Sequence, residues 1–194
     1  MSALSRKHRF DTVFDSQKVF RLLLEAMSNP ARVVNIKEAA DKLYGSHSEF
    51  LALAVTLLDN EISFNACDNQ VLSDEISSLT LAGHEKIEEA DFIFVCDLNY
   101  MEYAIENAKC GTLSDPHKSA TVIIRDDDLP AIRLLLSGPG IAGSINIDAT
   151  QPMKDALLLR DAQNYEYPQG IDLIFISSSG ELIAIPRLTR MEAE

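Results

Sequence analysis

Phe92-Ile93-Phe94-Val95-Cys96 is an unbroken apolar run bounded by Asp91 and Asp97. A strand with one face in water alternates polar and apolar side chains. A short continuous run instead fits a strand covered on both faces, as in parallel sheets flanked by helices. Upstream, Ile62 to Ala66 reads as a strand and Ser73 to Leu81 as a short helix. Downstream, Asn99 is placed to cap a helix carrying Met101, Ile105 and Ala108, closed by Gly111.

Further out the alternation continues. Ser16 to Ser28 sets Val19, Phe20, Leu23, Leu24 and Met27 on one face of a helix with Asp15 or Ser16 as N-cap. Pro30 ends it, because the residue before a proline is pushed out of helical geometry. Val33 to Ile36 then reads as a short strand. Ser46-His47-Ser48-Glu49 has the form of a capping box opening a helix through Leu51, Ala54, Val55 and Leu58, buried on most of its circumference. Ala120 to Ile124 and Ile132 to Leu136 are strands separated by Asp126-Asp127-Asp128, an acidic stretch that reads as a solvated turn. Thr150 caps a helix with Pro152 in its first turn, running through Leu157 and Leu158. The chain finishes with Asp172 to Ile176 and Leu182 to Ile185 around Ser179-Gly180, a hairpin that must pair antiparallel. The expected fold is α/β: one domain over residues 1–194, a three-layer α/β/α sandwich with a mixed sheet.

Composition narrows the function classes. Of 194 residues, 17 are Lys or Arg and 30 are Asp or Glu, a formal net charge of -13. A surface this acidic repels phosphate backbones and anionic headgroups, which argues against nucleic-acid and membrane partners. The longest apolar stretch, Phe50 to Val55 and on to Leu58, is too short to span a bilayer. Met1 to Asp15 carries Arg6, Lys7 and Arg9 with no apolar run behind them, so no secretory leader is expected. Cys67, Cys96 and Cys110 are odd in number and widely spaced, which points to a reducing cytoplasm.

Motifs for chemistry are sparse. Gly138-Pro139-Gly140-Ile141-Ala142-Gly143 has the spacing of a dinucleotide fingerprint, but Ser144 to Asp148 alternates like a strand where a helix should begin. It reads as a structural turn or a loop on which a ligand approaches the backbone of Gly138 and Gly140. His8, His47, His84 and His117 show no helical zinc spacing, and no nucleophile motif is present. The scarce cations carry more. Arg187 and Arg190 follow the last strand with the Thr189 hydroxyl between them, and the planar fork of arginine suits carboxylate or phosphate. Arg21 lies at the edge of the first helix's apolar face, as a snorkelling or ligand-facing side chain. Asp172 opens its strand as a site residue or a turn hydrogen bonder.

An ordered set of segments resembles one family: Phe20-Arg21 through Glu25-Ala26-Met27-Ser28 and Pro30; Leu57-Leu58-Asp59; Gly111-Thr112 with Ala120-Thr121; Leu136-Ser137-Gly138-Pro139-Gly140-Ile141; Tyr167-Pro168-Gln169-Gly170-Ile171-Asp172-Leu173-Ile174; and Ala184-Ile185-Pro186-Arg187. The set is similar to PhnH, the H subunit of the bacterial carbon–phosphorus lyase system. Two positions depart from the family pattern. Ala31 stands where a glycine is usual, which makes a positive φ costly there, and Leu188 replaces the first threonine after the arginine.

The resemblance implies a fold similar to pyridoxal-phosphate-dependent transferases without that cofactor, and a homodimer in a cytoplasmic complex with the G, I and J subunits. It implies a role, with the G, I and L subunits, in moving the ribose triphosphate group of ATP onto an alkylphosphonate. It makes Arg21, Ser28, Gly138, Gly140, Asp172, Arg187 and Thr189 the candidates for ligand or interface contacts, with a phosphonate or nucleotide at a shared site. No cofactor is expected, and no activity of the chain alone. A self-sufficient binding protein or enzyme for a small phosphorylated ligand, using Gly138 to Gly140 and Arg187, is the alternative. A vestigial pyridoxal-phosphate enzyme would need a Schiff-base lysine, and nothing in the sequence singles out Lys109, Lys118 or Lys154.

Overall fold

A computed structural model describes residues 8–192, so Arg6 and Lys7, used above to read the N-terminus, lie outside the described residues. In the first half, the elements are α1 (Phe14–Ser28), β1 (Val33–Asn35), α2 (Lys37–Ala40), α3 (Ser48–Leu57), β2 (Ser63–Asn65), α4 (Gln70–Thr80), β3 (Gly83–His84) and β4 (Phe92–Val95). Then come α5 (Met101–Asn107), β5 (Thr121–Arg125), β6 (Ile132–Ser137), β7 (Ser144–Ala149), α6 (Gln151–Ala162), β8 (Asp172–Ile176), β9 (Glu181–Ile185) and β10 (Arg190–Met191).

The fold is mixed α/β. A seven-stranded sheet runs β1-β9-β8-β5-β4-β2-β3. β3, β2, β4, β5 and β8 are parallel, while β9 pairs antiparallel with both β8 and β1. The run Ile93-Phe94-Val95 is fully buried, as its unbroken apolar character demands. Because side chains alternate along a strand, it feeds two cores. Phe94, Ile123, Ile174 and Leu182 pack with Val19, Phe50 and Leu72 of α1, α3 and α4. Ile93, Val95, Val122 and Phe175 pack with Ile105 and Leu157 of α5 and α6. Phe50 and Phe64 meet Phe94 edge-on, at ring-centroid distances of 5.8 and 6.4 Å.

Several local expectations yield to tertiary contacts. Neither Asp15 nor Ser16 caps α1. Asp11 does this work, its carboxylate accepting the N–H groups of Val13 and Phe14 at 2.9 Å, while Asp15 turns inward to Lys42 at 2.7 Å. The capping box at Ser46 to Glu49 does not form: α3 begins at Ser48, and Glu49 is buried between Lys37 at 2.8 Å and Arg125 at 3.5 Å. Two cations retain a buried carboxylate that a single backbone N–H would not hold. Asp97, not Asn99, caps the turn entering α5, and that helix stops at Asn107, well before Gly111.

Asp126 is not solvated either; it is buried and accepts the Thr150 hydroxyl at 2.5 Å, which binds it to the start of α6. Thr150 caps α6 as its sequence predicts, accepting the Met153 N–H at 3.1 Å. The chain does not end on the β8–β9 hairpin. β10 follows and joins β6 and β7 in a separate three-stranded sheet. Among the described residues no helix is long and apolar enough to cross a membrane.

Candidate functional site

Most of the predicted site residues meet at the amino ends of the parallel strands. Thr121 and Asp172 are the first residues of β5 and β8 and lie side by side, and antiparallel β9 brings Pro186 and Arg187 out at the same end. The Asp172 carboxylate accepts the Arg187 backbone N–H at 2.7 Å and its Nε and Nη2 at 3.3 and 2.5 Å. Arg187 Nη1 donates to the Pro116 carbonyl. The guanidinium fork is therefore spent within the protein, and the pair is neutral as a unit.

The loop from Pro186 to Arg190 is fixed from below by a side chain that sequence reasoning missed. Arg160 on α6 is fully buried and donates to the carbonyls of Ile185 (3.5 Å), Pro186 (3.3 Å) and Thr189 (2.5 Å). Asp161 balances it at 3.0 Å and also holds Arg190 at 3.1 Å. One signal was available. Arg160 continues the buried stripe Met153, Ala156 and Leu157 at i+3, i+4 and i+7, where a charge must find partners inside.

The β6–β7 turn closes the site from the other side. Gly138 and Gly140 take φ of 140° and 85°. A β-carbon on Gly138 would stand 2.8 Å from the Leu188 carbonyl, and one on Gly140 2.8 Å from the Ser28 carbonyl and 2.9 Å from Pro30. The turn is thus wedged between the end of α1 and the Leu188–Thr189 loop, and only glycine fits at these two points. Ala31, next to that wedge, holds φ 75° despite its β-carbon, so the turn keeps the left-handed conformation that the substitution should disfavour.

Between these walls lies a cleft of about 380 Å³ with Asp172, Arg187 and Thr189 in its lining. Pro116, Pro139, Pro168 and Pro186 form much of its rim, and their fixed φ keeps the opening preformed. The Thr189 hydroxyl is buried without a hydrogen-bond partner, whereas its carbonyl is held by Arg160. His117 is exposed at the rim. Ser28, Gly138, Gly140, Asp172, Arg187 and Thr189 form one connected region. Arg21 stands apart, exposed on α1 two turns before Ser28 and with no ion-pair partner among the described residues.

At the opposite, carboxyl ends of the strands, Arg125 lies over the Phe50 ring at 4.9 Å and 3.5 Å from His47 Nδ1, whose other nitrogen faces Asn69 at 3.3 Å. Burial first, then the Arg125 charge, holds His47 below the ordinary imidazole value. Burial pushes the thiols of Cys67 and Cys96 up to about 12 and about 11, so both stay protonated at neutral pH. Among the described residues no three His, Cys, Asp or Glu side chains gather as metal ligands. Lys109 is bound to Asp91 at 2.5 Å and Lys118 to Asp115 at 3.3 Å. The cleft offers orienting groups and a rigid frame, with no activated nucleophile in its lining.

The family described as "Bacterial phosphonate metabolism protein (PhnH)" matches residues 8–192, essentially the whole described chain. The chain belongs to the PhnH family. It is similar to the protein of Stutzerimonas stutzeri named as C-P lyase subunit protein HtxG, 27% identical over 176 residues that cover 90% of this chain and 85% of that one. It is also similar to the alpha-D-ribose 1-methylphosphonate 5-triphosphate synthase subunit PhnH of Rhizobium meliloti (strain 1021), 27% identical over 192 residues covering 95% and 94%. Family membership places the chain in phosphonate metabolism and among carbon–phosphorus lyase subunits. Of the segments carrying the PhnH resemblance, Leu136 to Ile141, Tyr167 to Asp172 and Ile185 to Arg187 supply residues to the cleft lining, and Ser28 to Pro30 packs behind it against Gly140.

Proposed function

We propose that this chain is a non-autonomous subunit of the carbon–phosphorus lyase core complex. In this reading it acts with the G, I and L subunits in transferring the ribose triphosphate group of ATP to an alkylphosphonate. It sits in the cytoplasm as a homodimer and joins the G, I and J subunits. The observation that carries the reading is the end-to-end match to PhnH, a family whose relatives are named as subunits. A cleft with orienting groups and no nucleophile suits a component that shapes a shared site.

Within that role, Ser28, Gly138, Gly140, Asp172, Arg187 and Thr189 form the contact region for a phosphonate or nucleotide or for a neighbouring subunit, and exposed Arg21 serves the interface. The finer architecture belongs to the same proposal: one domain, three layers, and a likeness to pyridoxal-phosphate transferases without the cofactor. Two core clusters fed by alternate strand residues support the layering.

The test is affinity purification of the tagged chain from phosphate-starved cells, alongside growth of a deletion strain on an alkylphosphonate as sole phosphorus source. The expected result is co-purification with the G, I and J subunits and loss of growth. A chain that purifies alone and is dispensable for growth overturns the proposal.

A further inference from the structure

The strand order reverses at β2. From β2 the chain crosses through α4 to β3 on one side, then returns past β2 to β4 on the other. In open α/β sheets the loops part at such a reversal and leave a crevice beyond the carboxyl ends of the strands, where ligands bind. A cavity of about 280 Å³ occupies that place here, far from the cleft at the amino ends. All three strand exits contribute to it: Cys67 and Asp68 after β2, Lys86 and Glu88 after β3, Tyr100 and Tyr103 after β4.

The backbone at the wall is unusual. Cys67 and Asp68 are consecutive non-glycine residues at φ 45° and 60°, and strained backbone of this kind clusters at ligand sites. Asn65 ties the exits of β2 and β3 together, donating to the Glu85 carbonyl at 2.6 Å and accepting the Cys67 N–H at 2.9 Å. Cys67 and Ile87 give the cavity a buried apolar part. Above it stand two phenol rings. The Tyr103 hydroxyl reaches Glu88 at 3.4 Å, and the neighbouring Asp68 carboxylate, by its charge above all, holds the Tyr100 phenol above its ordinary value.

This combination has a chemical meaning. Phenol rings offer faces for a flat heterocycle, a carboxylate accepts paired hydroxyls, and one ammonium, Lys86, stands against two carboxylates, Asp68 and Glu88. We infer that the crevice binds a nucleoside, its base against Tyr100 and Tyr103 and its ribose diol on Asp68. With one ammonium against two carboxylates the crevice is net negative, so each added phosphate weakens binding. The inference goes beyond the assembly reading, and co-purification with other subunits is untouched by its failure.

Calorimetric titration of the full chain with adenosine, AMP, ATP and ribose tests it. Adenosine is expected to bind saturably with a Kd of about 1 mM or tighter, AMP less tightly, ATP less tightly still, and ribose barely. Asp68→Asn and Tyr103→Ala should each weaken adenosine by about tenfold. Lys86→Ala should widen the gap between adenosine and AMP and leave adenosine unchanged. Tyr103 is half exposed, so its truncation leaves the fold intact and keeps the test decisive even where Asp68→Asn unfolds. No adenosine binding at several millimolar, or binding that Tyr103→Ala leaves unchanged, overturns the inference. So does ATP binding about tenfold more tightly than adenosine, which demands cations this crevice does not have.

Discussion

Arg187 gives the Asp172 carboxylate three hydrogen bonds, one from its backbone and two from its guanidinium, across 15 residues of chain. The pair joins the start of β8 to the end of β9 and, through the Pro116 carbonyl, to the loop entering β5. Its side chains are only 9% and 21% exposed, so each charge depends on the other.

Truncation of one partner strands the other in a poorly hydrated place. Arg187→Ala is expected to cost about 3 kcal/mol of stability in urea unfolding, and Arg187→Lys to recover only part, because lysine lacks the fork. The double variant with Asp172→Asn should lose less than the sum of the two single variants. Strict additivity would mean that the pair carries no coupling.

Arg160 sets the shape of the same loop from inside. Arg160→Met strips the Thr189 carbonyl of its Arg160 donor and leaves the Pro186 carbonyl with the Thr189 N–H alone and the Asp161 carboxylate with Arg190 alone. The expected loss is about 3–5 kcal/mol, read by thermal or urea unfolding. Hydrogen exchange should rise first across residues 186–190. A change spread evenly over the molecule, with no local excess there, would contradict this placement.

Ala31 offers a change in the opposite direction. Its φ of 75° is one that a β-carbon resists, so Ala31→Gly should raise stability by about 0.5–1 kcal/mol, the relief of strain exceeding the added freedom of the unfolded chain. Gly140→Ala, with its new β-carbon 2.8 Å from the Ser28 carbonyl, should lower it. Denaturation midpoints at unchanged m-value decide both.

His47 predicts a pH dependence. Its folded value lies below the ordinary one, through burial and then Arg125, so the unfolded chain binds more protons as pH falls. The His47 contribution is therefore complete above the unfolded value of about 6.5 and is lost as pH falls from there through the folded value. His47→Gln should flatten the stability profile between about pH 7 and pH 5. An unchanged slope would show that the imidazole titrates freely.

The elements that could be read from the sequence are those whose signal is local. Phe92 to Cys96 announces a strand covered on both faces, Thr150-Gln151-Pro152 announces the start of a helix, and Ser179-Gly180 between apolar runs announces a hairpin. Capping failed where a long-range partner offered more. Glu49 left its box for Lys37 and Arg125, and Asp126 left solvent for Thr150. In each case a buried charge or hydrogen bond outweighs a local turn contact.

The candidate cleft was legible as separate pieces, since Ser28, Gly138, Asp172 and Arg187 each stand in a distinctive segment, but the sequence is silent on what each piece touches. Apolar periodicity by itself determined the strand and helix types and the mixed α/β class, because burial acts on every residue of an element in turn. Only the tertiary structure decided that Arg187 spends its fork on Asp172, that Arg160 lies beneath the loop, and that Asp68, Lys86 and Tyr100 share one crevice. Those meetings depend on which strands become neighbours, and strand order arises from the packing of the whole sheet.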